Sequence, residues 1–107
     1  MQKVINHINL NLAEQMSLKS LAAMCFISPS YLSSLFKQDT GTTIVDYINS
    51  QRVDRAAVLL ATTDRSIAAV AAAVGILDVN YFTKIFKKQL GTTPTQYRRE
   101  KKAMLGH

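Results

Sequence analysis

Apolar residues recur at helical spacing along nearly the whole chain, and no stretch alternates apolar and polar as a strand would. The pattern predicts an all-α fold of seven helices. The first covers about Lys3 to Leu10, with Val4, Ile5 and Ile8 inward. Ser17 stands as the N-cap of the second. Leu18, Leu21, Ala22 and Cys25 follow at i, i+3, i+4 and i+7, one narrow apolar stripe. Ser28-Pro29 places a cap residue before a proline at the first helical position. That third helix runs to about Gln38, buries Leu32, Leu35 and Phe36, and stops at Gly41.

Thr43 opens the longest helix, about Ile44 to Ala61. Ser66 caps a fifth, with Ile67, Val70, Ala71 and Val74 inward. Gly75-Ile76-Leu77 forms a turn, and Asp78 caps a sixth helix that buries Phe82, Ile85 and Phe86 before Gly91 stops it. Thr93-Pro94-Thr95-Gln96 joins a proline at the first position to a capping-box pattern and opens a short basic helix.

The chain repeats itself. At an offset of 50, seven of the twenty pairs between 28–47 and 78–97 are identical, among them Tyr31/Tyr81, Phe36/Phe86, Gly41/Gly91 and Tyr47/Tyr97. The preceding helices align at an offset of 49, as in Ser17/Ser66 and Ala22/Ala71, so the second copy has one extra residue between Val74 and Asp78. Self-similarity at a fixed offset marks a repeated structural unit. Each copy is a capped helix, a short turn and a second capped helix with one apolar face, which is the helix-turn-helix pattern. Ala22 and Ala71 sit where the helices of each unit cross, and a larger side chain there would push them apart.

Composition narrows the function. A length of 107 residues fits one domain, 1–107, divisible into a first helix-turn-helix subdomain at 1–42, a linker helix at 43–61 and a second subdomain at 62–107. No segment has the length of a membrane span, no secretory signal is visible, and the single cysteine, Cys25, points to a reducing cytoplasm. Positive and negative charges cancel over 1–83. The whole net charge of +6 therefore lies in 84–107, on Lys84, Lys87, Lys88, Arg98, Arg99, Lys101 and Lys102 against Glu100. Such a cluster suits a polyanion.

At this point the chain resembles the DNA-binding domain of the AraC/XylS family of bacterial transcription regulators. The resemblance runs from about Val4 to Arg99 and is strongest at Gly75, Asp78, Tyr81-Phe82, Phe86-Lys87, Gly91, Pro94 and Tyr97-Arg98. Leu21-Ala22, Ser28, Leu32, Phe36-Lys37, Gly41, Tyr47, Arg52, Ala56 and Leu59-Leu60 support it. It implies two helical subdomains joined by the long helix, with the third and sixth helices in neighbouring segments of the major groove of double-stranded DNA. It implies base reading by Ser30, Ser33 and Ser34 and by Val79, Asn80, Thr83 and Lys84. It also implies RNA polymerase as a partner of an activator. Two settings stay open, the C-terminal output domain of an effector- or phosphorylation-controlled regulator and a free-standing regulator; the isolated domain is expected to be a monomer. Phe26 stands where the first turn often carries glycine.

The chemistry of those residues agrees. Asn pairs bidentately with adenine, Lys donates to guanine, Ser and Thr serve either base type, and a Val methyl touches the thymine methyl. Capped helix starts at Ser17, Thr43, Ser66 and Thr93 offer backbone N–H groups to phosphates, and Lys37, Lys87, Arg98 and Arg99 add charge. Arg52, Ala22, Ala71 and Gly75 are read as structural, Arg52 as a polar brace between the subdomains. No nucleophile with a base, metal cluster or phosphate-cradling glycine loop supports an enzyme, a cofactor or a metal site; His7 and His107 lack partners at ligand spacing. The competing class is a helical protein-interaction module, against which the polar outward face of the sixth helix weighs.

Overall fold

A computed structural model describes residues 1–104 of the chain; His107 and the last residues of the second subdomain lie outside them. Seven helices are present among the described residues: α1 (Gln2–Leu10), α2 (Leu18–Met24), α3 (Pro29–Thr40), α4 (Ile44–Thr62), α5 (Ile67–Ala73), α6 (Val79–Leu90) and α7 (Pro94–Met104). Their starts follow from local chemistry. Ser17, Ser28, Thr43 and Ser66 each accept the backbone N–H three residues on, and the Asp78 carboxylate takes those of Asn80 and Tyr81. At α7 the expected capping box is half made. Thr93 accepts from the Gln96 backbone, but the Gln96 side chain turns forward to Glu100.

Two separate cores form. Val4, Ile8, Leu12, Leu21, Ala22, Leu32, Phe36, Ile44 and Ile48 make the first, and Val53, Ala56, Leu60, Val70, Ala71, Val74, Ile76, Phe82 and Phe86 lie in the second. Helix α4 belongs to both, because its buried positions step around its axis from Ile44 and Ile48 to Val53, Ala56 and Leu60. Ile5, Leu18, Cys25, Leu35, Ile67 and Ile85 are expected inward and are only half-buried, since each sits at the margin of its stripe. The molecule is elongated, with extents of 50 × 23 × 22 Å.

The two units repeat in detail. Ala22 and Ala71 are each 1% exposed at their helix crossings. Phe36 meets Tyr47, and Phe86 meets Tyr97, edge to face at 5.5 Å in both pairs. The turns also match: Ile27 N–H donates to the Ala22 carbonyl as Ile76 N–H does to that of Ala71. Both turns pass through the left-handed region, at Gly75 with φ 92° and at Phe26 with φ 59°. Phenylalanine thus keeps the geometry that glycine gives in the second copy. The extra residue of that copy, Leu77, falls after the matched turn.

Phe26 is both strained and 92% exposed. Phe26→Gly is therefore expected to stabilise the domain by about 0.5–1 kcal/mol, the left-handed penalty less the added unfolded-state entropy of glycine. Urea unfolding reads this directly; a lower midpoint would mean that the ring packs in the folded state.

Candidate nucleic-acid interface

A recognition helix must bury one face and leave the other free. Helix α3 buries Leu32 and Phe36, which turns Ser30, Ser33, Ser34 and Lys37 to solvent. Helix α6 buries Phe82 and Phe86, which leaves Val79, Asn80, Lys84 and Lys87 exposed. Thr83 differs from the rest of its set. It is half-buried, and its hydroxyl donates to the Val79 carbonyl at 2.9 Å, so only its oxygen lone pairs remain for a partner.

The four helix starts named from the sequence are capped alike. The cap oxygens of Ser17, Thr43, Ser66 and Thr93 take the third N–H of α2, α4, α5 and α7. The first amides of each helix have no intrahelical acceptor. Pro94 removes one such donor from α7.

The basic C-terminal segment is less available than its charge suggests. Arg98 Nε donates to the Leu60 carbonyl at 3.0 Å, and its Nη2 is buried. Its guanidinium thus belongs to the α4–α7 joint, not to an outward phosphate-binding face. Lys101 lies over the Tyr97 ring at 5.3 Å, and Lys102 pairs with Asp64 at 3.0 Å. Arg99 is exposed. Among the described residues of this segment, Lys84, Lys87 and Lys88 on α6 and Arg99 on α7 are exposed and have no ion-pair partner.

The two halves meet at a polar joint built around Arg52. This side chain is 9% exposed and donates from Nε to the Leu12 carbonyl at 3.0 Å and from Nη2 to the Glu14 carbonyl at 2.7 Å. Burial pulls its guanidinium below the ordinary arginine range, and neighbouring Tyr81 restores part of that. Across the joint, Gln15 Nε2 donates to the Gly75 carbonyl at 3.1 Å. The loop before α2, helix α4 and the turn before α6 are thus tied together. Further ties join α4 to α6: Asn49 Nδ2 to the Tyr81 hydroxyl at 2.8 Å, and Gln89 Nε2 to Asp54 at 2.9 Å. Sequence reasoning found Arg52 through the family pattern but not Gln15, Asn49 or Gln89, whose partners lie 32 to 60 residues away with no periodicity to announce them.

Comparison with known proteins decides the family. A helix-turn-helix domain family of AraC type matches residues 21–100. The chain belongs to the AraC/XylS family. It is 37% identical over 99 residues to the bifunctional transcriptional activator/DNA repair enzyme AdaA of Bacillus subtilis, covering 92% of this chain and 47% of that one. Among solved structures, the C-terminal domain of the two-component response regulator YesN from Fusobacterium nucleatum is similar, with a TM-score of 0.86 and 37% identity over 91% of this chain and 95% of that one. The DNA-binding domain of AdpA, solved in complex with a target DNA, has a TM-score of 0.92 at 30% identity over 96% of this chain and 93% of that one. This AraC/XylS domain spans about a third to a half of the length of curated relatives such as AdaA. Among its described residues, no helix is long and apolar enough to cross a membrane.

Proposed function

We propose that this domain reads double-stranded DNA as the output end of a bacterial transcription regulator, with α3 and α6 in successive segments of the major groove. The observation that carries this is the duplicated unit itself, with the same caps, turn and aromatic closure, each copy presenting a polar outward helix face. The likeness to a domain solved on its target DNA supports it. Ser30, Ser33 and Ser34 read one segment; Val79, Asn80, Lys84 and the oxygen of Thr83 read the other. Lys37, Lys87, Arg99 and the free amides behind Ser17, Thr43, Ser66 and Thr93 hold phosphates. One chain acts as a monomer, because its readers are tandem copies. Upstream sequence supplies control, and contact with RNA polymerase supplies activation; the description of AdaA as an activator supports that direction.

Discrimination rests on the second reader, whose Asn80 and Lys84 reach farther than the serines of the first. Lys84→Ala is expected to cost on the order of 1–3 kcal/mol on the preferred site and to relax preference there. Lys87→Ala weakens all sequences alike. A base-by-base specificity profile of each variant separates the two behaviours. A greater loss of specificity from Ser33→Ala and Ser34→Ala than from Lys84→Ala would make α3 the principal reader.

A further inference from the structure

An open groove of about 480 Å³ separates the first half of α4 from α6. Val45, Asn49 and Ser50 form one wall, and Tyr81, Lys84 and Lys88 form the other. Asp46, at the start of α4, is the one carboxylate on its lining. Both walls are held in place, by the Asn49–Tyr81 hydrogen bond and by Gln89, which donates to Asp54 and to the Ser50 carbonyl.

The groove is lined with donors. The Tyr81 oxygen accepts from Asn49, so its own O–H is left to donate, and it has no acceptor among the described residues. Lys84 and Lys88 sit one helical turn apart, both exposed, and neither has an ion-pair partner among the described residues. The lysines of α7 are occupied, by the Tyr97 ring and by Asp64.

Position supplies the rest. At 3.6 residues per turn, Lys88 lies about 80° around α6 from Asn80. That rotation carries it off the base-reading face and toward α4, where Tyr81 also lies. On the major-groove reading, the backbone between the α3 and α6 segments runs along the side of α4, the helix packed against both.

We propose that the α4–α6 groove holds backbone phosphates of the duplex stretch between the two base-reading segments, with Lys88 and the Tyr81 hydroxyl as donors. This rests on the major-groove reading above. It assigns affinity without sequence preference to two residues outside the base-reading set.

The test is binding of the whole domain to a selected duplex across a salt series, followed by fluorescence anisotropy. Lys88→Ala should lower the slope of log affinity against log salt by about 0.9, one phosphate's share, and weaken matched and mismatched sites by the same factor. Tyr81→Phe should weaken binding with the slope unchanged. Neutral methylphosphonate linkages between the two segments should weaken the unaltered domain by a clearly larger factor than they weaken Lys88→Ala, which keeps only the Tyr81 contact there. An unchanged slope and affinity for Lys88→Ala, or equal losses of both proteins on the neutral linkages, would overturn the groove assignment alone. Failure of the unaltered domain to bind any duplex would overturn the major-groove reading with it.

Discussion

Gly75→Ala is expected to destabilise the domain by about 3–5 kcal/mol, from left-handed strain together with overpacking. Two causes act at one atom. The backbone at Gly75 has φ 92°, a conformation that side chains resist. A Cβ built there also overlaps the Leu12 carbonyl oxygen and comes within 3.1 Å of the Arg52 guanidinium. The Leu12 oxygen belongs to backbone that accepts from Arg52, so it cannot swing aside as a surface side chain would. Gly41 and Gly91 provide the control. Both have φ 79°, yet a Cβ at either meets nothing within 4 Å. Alanine there should cost only about 1 kcal/mol. Chemical denaturation of the three variants reads the difference. Equal losses at all three positions would show that the contact at Gly75 is relieved without cost.

Arg52→Met is expected to cost about 2–4 kcal/mol, because the methionine keeps the stem but leaves two backbone carbonyls, of Leu12 and Glu14, without their charged donor. Its functional effect should be larger than its effect on either half alone. Arg52 lies where the first subdomain, the linker helix and the turn before α6 meet. Loosening that joint lets the two readers move separately, and the second contact then loses part of its effective concentration. Affinity for a duplex with both segments should fall on the order of tenfold or more, while affinity for a single segment stays near its original value. Arg52→Lys should recover little, since an ammonium lacks the planar fork that reaches both carbonyls. A uniform loss on both duplexes would mean that Arg52 contacts DNA directly.

Much of this architecture is legible in the sequence because the determinants are local. Ser17, Ser28, Thr43, Ser66 and Asp78 each announce a helix by accepting an amide of its first turn, two or three residues on. The repeat gives Tyr47 and Tyr97 one role, and both close on a phenylalanine as the alignment implies. Phe26 shows the limit of residue preference. A phenylalanine in a left-handed turn is disfavoured, but the hydrogen bonds from Cys25, Phe26 and Ile27 back into α2 hold it there. The electrostatics were less legible. A count of charge places the excess in the last quarter of the chain, yet it cannot show that Arg98 is taken by Leu60 and Lys102 by Asp64. Those partners come from the end of α4 and the loop beyond it, brought into reach only by folding. The groove between α4 and α6 was invisible for the same reason, because Asn49 and Tyr81 have no shared motif.

Selection of binding sites from random duplex DNA by the isolated domain, with hydroxyl-radical footprinting of the winners, tests the central claim most directly. The expected result is one asymmetric sequence bound by one chain, with protected backbone flanking two segments on the same face about one helical turn, roughly 34 Å, apart. The molecule's long dimension of 50 Å accommodates that spacing. No enrichment of any sequence, or enrichment only of inverted repeats that require two chains, would contradict a single-chain tandem reader.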